Sequence, residues 1–373
     1  MKYPIRILHV IGIMDRGGAE SMIMNLYRNI DRSKIQFDFV EHTHVKANYD
    51  DEIISLGGKI YRCPKFKGFN ILEYQKWWKN FWKENKLNYN IVHGHIGSTA
   101  AIYLKIAKQN GIFTIAHSHS TDKDISLKSV LYKILSYNTR NVADYFFTCS
   151  NDAGISRFGN KVTQNHEIYK IFHNAIDTDL FQYDETVRCN KRSELQLKKD
   201  NFVIGHIGRF TPEKNHQFII SVFEKLSKQY PQAILLLVGD GPLKKEYELS
   251  TKNLENSEKI RFMGVRSDVN ELMQAMDVLI FPSKYEGLPV TLIEAQASGL
   301  PCVISDRISE EVILCKDLLD VMSLDSSIED WSIKIIAAGK KHRTITTDVI
   351  KENGYDIKET SKWLEEFYET KAR

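Results

Sequence analysis

Four stretches of this sequence carry side chains whose types and spacing could do chemistry. In Glu286-Gly287-Leu288-Pro289-Val290-Thr291-Leu292-Ile293-Glu294 two carboxylates stand eight positions apart. The first falls in a loop ahead of a helix, the second near that helix's second turn. Backbone N–H groups at a helix start favour an anion such as a diphosphate, and carboxylates beside them accept paired hydroxyl hydrogen bonds from a ribose or a sugar. In Gly205-His206-Ile207-Gly208-Arg209-Phe210-Thr211-Pro212-Glu213-Lys214-Asn215 a planar guanidinium and a mobile ammonium follow a strand. Arg209 and Lys214 together make a clamp for a diphosphate. Met14-Asp15-Arg16-Gly17-Gly18-Ala19-Glu20 sets paired glycines after the first strand, where Gly17 and Gly18 let a helix N-terminus approach a ligand closely. His93-Gly94-His95 and Ala116-His117-Ser118-His119-Ser120 end two neighbouring strands and bring up to four imidazoles to one rim. These imidazoles fit hydrogen-bonding or acid/base work; no carboxylate or cysteine has the spacing to complete a metal site, and none is expected. Each stretch also fits a plainer reading, as solvated loop charges, a surface-helix glutamate or histidines satisfied inside a core.

The elements that must position these groups follow from the hydropathy pattern. Short runs rich in β-branched residues alternate with longer amphipathic segments, the pattern of a parallel sheet covered by helices. The first half predicts strands at 5–11, 37–40, 91–93, 114–116, 145–149 and 168–172, with helices at 19–29, 71–85 and 127–136. The second half predicts strands at 202–207, 233–238, 260–263, 278–281 and 302–304, with helices at 217–229, 243–254, 267–274 and 288–297. A last helix is expected over 357–370, with Trp363, Phe367 and Tyr368 on one side. The fold class is therefore α/β, two doubly wound, Rossmann-like parallel-sheet domains in tandem. The polar, charged stretch 174–200 reads as their joint. Each domain should place ligands at the carboxyl ends of its strands, and two facing domains would leave a cleft between them.

Length and composition agree. The 373 residues and 43.2 kDa exceed one ordinary core. With 42% hydrophobic and 27% charged residues, 8 Pro and 20 Gly, disordered and fibrous classes are excluded. Five scattered cysteines support neither a disulfide framework nor a structural zinc site. Apolar runs are strand-sized and the N-terminus reads as a first strand, not a signal peptide, so a cytoplasmic, reduced protein is expected. Residues 1–190 carry 25 Lys and Arg against 19 Asp and Glu, a mild basic bias that suits an anionic partner and also arises by chance. Asp177-Thr178-Asp179 looks like a metal–nucleotide motif, but its place between domains predicts a helix cap or turn. The basic and aromatic stretch 71–83 could lie on a membrane surface; its place between two strands predicts a packed helix instead. Gly12, Gly17 and Gly18 lack the dinucleotide fingerprint, no Gly-x-Ser-x-Gly elbow occurs, and no basic stripe suggests nucleic acid.

Taken together these motifs resemble the retaining glycosyltransferases of the GT4 family, with the GT-B fold, of the kind that builds bacterial capsular and extracellular polysaccharides. The resemblance runs over nearly the whole chain and includes Asn174 to Phe181 and Val238-Gly239-Asp240-Gly241-Pro242. It implies an N-terminal acceptor-side domain over 1–174, a nucleotide-sugar-binding domain over 175–356, and a helix over 357–373 crossing back to the first. By resemblance Glu286 lies near the donor sugar, Glu294 near the ribose, and Arg209 and Lys214 hold the diphosphate. Gly239, Gly287, Leu288, Pro289 and Val290 join the donor site, Met263 and Val265 mark the edge that reads the base, and Gly17 and Gly18 face the donor phosphates. His117 matches the histidine near the transferred sugar, with His119 the competing assignment. Many relatives have Glu-Gly-Phe-Gly-Leu-Pro where this chain has Glu286-Gly287-Leu288-Pro289-Val290. Pro289 has no N–H, so the backbone donors there must be arranged differently and the donor sugar does not transfer from better-known members.

The resemblance implies a metal-independent hexosyltransferase without cofactor. It would use a nucleotide sugar, UDP-linked by expectation, and a saccharide or lipid-linked saccharide acceptor, with possible contact at the inner membrane face and no nucleic-acid partner. A nucleotide-sugar epimerase or hydrolase on the same fold, and a non-catalytic nucleotide-sugar-binding partner, stay open as alternatives.

Overall fold

The computed structural model describes residues 4–15, 17–119 and 136–372. The chain forms two compact units, one of residues 1–175 with 357–373 and one of 176–356. In the first, seven parallel strands stand in the order β3-β2-β1-β4-β5-β6-β7: β1 Ile5–Ile11, β2 Ile35–Glu41, β3 Ile60–Arg62, β4 Ile91–Gly94, β5 Phe113–Ser118, β6 Tyr145–Thr148 and β7 Tyr169–Ile171. In the second, six parallel strands run β10-β9-β8-β11-β12-β13: β8 Phe202–Ile207, β9 Ala233–Val238, β10 Ile260–Gly264, β11 Val278–Phe281, β12 Cys302–Ser305 and β13 Leu319–Met322. Both are α/β doubly wound sheets whose strand order reverses beside the first strand, between β1 and β4 and between β8 and β11. Loops leaving the carboxyl ends at that point diverge and leave a crevice.

Burial follows the period of two expected of strands covered on both faces. In β1, Ile7 and Ile11 join one buried cluster with Phe37, Phe39 and Phe147, while Leu8 and Val10 join the opposite one with Val92 and Phe146. The helix Ile71–Asn85 buries Tyr74, Trp78, Phe81 and Trp82, one apolar stripe at helical spacing, and turns Lys76, Lys79 and Lys83 outward. The helix Ile357–Lys371 returns to the first unit and buries Leu364 and Tyr368 in the cluster around Phe37 and Phe147, with Trp363 and Phe367 packed at its edge.

Several expectations change. Strands β3 and β13 and the helices Asp50–Ser55, Asn151–Phe158, Ile328–Ala338 and Thr347–Glu352 have no counterpart in the sequence reading. Helix Gly97–Gln109 is likewise not among the expected helices, although its buried Ala100, Tyr103, Leu104 and Ala107 have helical spacing. The helix expected over 243–254 ends at Ser250 and continues as a single 3-10 turn. The one expected over 127–136 falls, apart from Ser136, outside the described residues. The joint 174–200 is not a solvated linker: it contains the helix Glu185–Glu194, capped by the Asp184 carboxylate. Several of its charges are internal ties, although Lys198, Lys199 and Asp200 are exposed. Lys191 is buried between Asp268 at 2.8 Å, Glu271 at 2.7 Å and Glu194 at 2.6 Å, and Arg192 donates to the carbonyls of Ala275 and Asn201. Asp177 caps the short helix Thr178–Phe181 by accepting from the Leu180 N–H, and Asp179 pairs with Lys351.

Candidate functional site

In the second unit Arg209, Lys214, Glu286 and Glu294 follow β8 and β11 at the strand-order reversal, while Gly239, Met263 and Val265 follow or end β9 and β10. The loop after β8 carries Gly208 to Lys214, and the loop after β11 carries Pro282 to Pro289. Lys214 Nζ lies 2.5 Å from Glu286 Oε1, an ion pair that joins the two loops, with only 17% and 13% of the side chains exposed. The ammonium also sits 4.9 Å from the centre of the Phe281 ring. The turn that delivers it is unusual: Asn215 adopts a left-handed conformation, φ 59° and ψ 41°, and donates from its side chain to the Pro282 carbonyl. Arg209 is exposed and makes no ion pair among the described residues.

The Gly208 loop is seated on the loop after β9. Gly208 N–H donates to the Val238 carbonyl and Phe210 N–H to the Asp240 carbonyl, both at 3.0 Å. Gly239, at φ +134°, passes so close that a Cβ there would stand 2.1 Å from the Gly208 carbonyl oxygen. Gly239 N–H in turn donates to the carbonyl of Gly264, so the backbone between Met263 and Val265 is already partly engaged; Val265 itself is exposed.

Glu294 lies in the second turn of the helix Val290–Ala297, whose N-cap is Pro289 rather than an earlier residue. Burial pushes its pKa up to about 7, and no cation among the described residues pairs with it. Gly287 and Leu288 are half-buried between the two glutamates, and Gly287 faces open space.

In the first unit five imidazoles share one sheet face. His9 on β1 stands directly opposite His93 on β4, and His95, His117 and His119 follow at alternate positions on the same side. His9 was not among the sequence candidates; only the strand register reveals it. Two chains of hydrogen bonds run through them. His9 Nδ1 meets His95 Nε2 at 3.0 Å and His95 Nδ1 meets His119 Nε2 at 2.8 Å. Tyr368 Oη meets His93 Nδ1 at 2.6 Å, and His93 Nε2 meets His117 Nδ1 at 3.1 Å. Burial drives the imidazole pKa values down, well below the usual value for His93, His95 and His117 and to about 4 for His119, so the rings are neutral. In His9/His93/His95 and in His95/His117/His119, ring nitrogens lie within 4.8 Å of one another, near enough to share a cation, although mutual hydrogen bonds already occupy most of them.

His95, His117 and His119 line a pocket of about 180 Å³ together with Glu20 and Arg157. Gly17 caps the helix Gly18–Asn29, and a Cβ on it would strike the folded-back Glu20 carboxylate; nothing lies near Gly18. A second buried pair, His206 and His216, lies under the Gly208 loop. His206 Nδ1 donates to the Ile280 carbonyl at 2.9 Å, which leaves Nε2 as a bare acceptor. His206 was visible in the sequence motif, but its burial was not.

Comparison with known proteins adds the family. A family model described as Glycosyltransferase Family 4 matches residues 16–180, and one described as Glycosyl transferases group 1 matches residues 187–343. The chain is 35% identical over 365 residues to the putative glycosyltransferase EpsF of Bacillus subtilis (strain 168), covering 95% of this chain and 94% of that one. It is 23% identical over 308 residues, 76% of each protein, to the UDP-Gal:alpha-D-GlcNAc-diphosphoundecaprenol alpha-1,3-galactosyltransferase of Escherichia coli. The fold is similar to that of Anabaena Alr3699/HepE, crystallised in complex with UDP, with a TM-score of 0.78, 18% identity and coverage of 98% of this chain and 100% of that one.

Proposed function

Because the chain belongs to glycosyltransferase family 4, we propose that it moves a hexose or N-acetylhexosamine from a UDP-sugar to a lipid-linked saccharide acceptor, with retention of anomeric configuration, in the assembly of a surface polysaccharide. The observation that carries this reading is the Lys214–Glu286 ion pair at the reversal between β8 and β11. An ammonium held there by a carboxylate, beside an exposed guanidinium, is a cation poised for a polyanion.

The chemistry follows from charge. When the sugar's anomeric carbon parts from the nucleotide diphosphate, negative charge grows on the leaving oxygens. Arg209 and Lys214 stabilise that charge, and preorganised donors of this kind are each worth ~10²–10³ in rate. Two cations, Lys214 held by Glu286 and the exposed Arg209, supply what a metal would otherwise supply, so the reading invokes none. Glu286, tied to Lys214, is assigned to the donor sugar along with Gly287, Leu288 and Val290. Glu294 is assigned to the ribose hydroxyls, Met263 and Val265 to the base, and Gly239 to the close approach of the phosphate loop. In the first unit, His117 is assigned to the transferred sugar, and Gly17 and Gly18 to the donor phosphates. UDP is supported by the nucleotide in the HepE complex and by the donor in the Escherichia coli relative's name; that name also supports a lipid-linked acceptor.

Lys214→Ala should nearly abolish transfer; activity within a few-fold of wild type would remove the assignment. Calorimetric titration with UDP, GDP and ADP, repeated on Glu294→Ala, should show one preferred nucleotide, UDP, whose binding the variant loses.

A lipid-linked acceptor implies a cytoplasmic enzyme that touches the inner membrane face. No helix among the described residues is long and apolar enough to cross a membrane. The aromatic helix is also the wrong contact, since Trp78 is fully buried and Trp77 half-buried. The exposed apolar residues lie at its start, Phe69 at 82% and Leu72 at 79%, beside exposed Lys65, Lys67 and Lys76.

A further inference from the structure

We infer that Tyr368, on the helix Ile357–Lys371, is a positioning residue that fixes the tautomer of His117 through His93, so that His117 presents an N–H donor at Nε2 to the pocket. The inference deepens the proposed function and rests on its assignment of His117 to the transferred sugar.

The argument is a count of protons. Each neutral imidazole carries one N–H and one bare nitrogen, and burial keeps His93 and His117 neutral. Burial also raises the Tyr368 pKa well above its usual value, so the phenol keeps its proton. Two arrangements satisfy the contacts Tyr368 Oη to His93 Nδ1 and His93 Nε2 to His117 Nδ1. In the first, the phenol donates to His93 Nδ1, His93 Nε2–H donates to His117 Nδ1, and His117 carries its proton on Nε2. One group is then left without a partner, the His117 Nε2–H. In the second every bond is reversed. His117 Nε2 becomes a bare acceptor, still without a partner, and the buried phenolic O–H has no acceptor among the described residues. The second arrangement strands two polar groups and the first strands one, so the first is favoured by the cost of an unmade buried hydrogen bond.

His117 lines a pocket, and its Nε2 is a buried ring nitrogen without a hydrogen-bond partner among the described residues. A donor there selects an oxygen with lone pairs, such as a sugar hydroxyl, and repels an ammonium. A protonated Nε2 also offers no lone pair to a cation. Without the tyrosine hydroxyl, both directions of the relay leave a similar number of groups unpaired, and the donor is no longer enforced.

Long-range proton–nitrogen spectra of the full chain labelled with ¹⁵N-histidine separate protonated from bare ring nitrogens, with His93→Gln and His117→Gln assigning the signals. The wild type should show Nε2–H and bare Nδ1 on both residues. Tyr368→Phe should turn His117 into a mixture of tautomers, and release of UDP from its UDP-sugar should slow in proportion to the lost Nε2–H population. A wild-type His117 protonated on Nδ1 overturns the inference even if the variant fails to fold. So does a folded Tyr368→Phe protein with an unchanged His117 signal. Full transfer activity in His117→Ala instead removes the sugar assignment, an outcome distinct from either spectrum.

Discussion

Replacing Glu294 by Gln should make the protein more stable at pH 8 while weakening its hold on a nucleotide. Burial in the second turn of Val290–Ala297 raises this carboxyl from 4.5 to about 7, with no ion-pair partner among the described residues. The unfolded chain titrates near the ordinary value. Between pH 4.5 and about 7 the folded state therefore holds more protons than the unfolded one, and stability falls as the pH rises through that window. A span of about 2.5 pH units, at 1.36 kcal/mol each, costs about 3.4 kcal/mol above pH 7. Local relaxation and water entry reduce this to roughly 2 kcal/mol. For a unit of this size each kcal/mol moves Tm by ~2–4 °C, so Glu294→Gln should gain ~4–8 °C at pH 8 and almost nothing at pH 5. Scanning calorimetry of both proteins at the two pH values reads the effect. Glu41 is likewise raised to about 7 by burial, so only the variant-minus-wild-type difference isolates Glu294. A difference independent of pH, or a loss of stability at pH 8, would refute the claim that an unpaired, desolvated carboxylate is maintained there. A gain in stability together with lost nucleotide binding would mean the strain is kept for the ligand.

Gly239→Ala should displace the Gly208 loop, costing ~1–3 kcal/mol in backbone strain alone and weakening UDP binding in the same titration; Gly287→Ala, with open space around it, should stay within about 0.5 kcal/mol of wild type. Trp78→Ala should cost ~3–5 kcal/mol in urea unfolding, because the ring is fully buried. A Phe69→Ser/Leu72→Ser double variant should keep its stability and lose co-sedimentation with anionic vesicles; unchanged binding removes this membrane contact.

What the sequence showed and what it hid divide along physical lines. Strand and helix character was legible wherever burial imposes a period, as in β1, β9 and the helix Ile71–Asn85, whose bounds match the expectation. Edge strands β3 and β13 escaped because Ile60-Tyr61-Arg62 and Leu319-Asp320-Val321-Met322 are short and partly polar. The helix Glu185–Glu194 was hidden by its charges: Lys191 and Arg192 look solvated in sequence, and only their partners on distant segments explain their burial. At the candidate site, spacing within one loop was readable and pairing between loops was not. Lys214 and Glu286 were separate candidates until the parallel register of β8 and β11 set their loops side by side. His9 and Tyr368 lie 84 and 275 positions from the His93 they adjoin, and no local pattern encodes that.

The helix Ile357–Lys371 makes the second unit an insertion within the first. A chain leaving the ribosome has completed all seven strands of the first unit, and then all six of the second, before Leu364 and Tyr368 exist to fill their places. Until then Phe37, Phe147 and Phe172 keep an uncovered apolar surface, whereas the second unit already has its entire core. Maturation therefore runs out of sequence order, with the first-made domain finished last. A truncation within the helix Ile357–Lys371 would injure the unit synthesised earliest, and a newly made molecule has no complete Tyr368–His93–His117 relay before that helix is made.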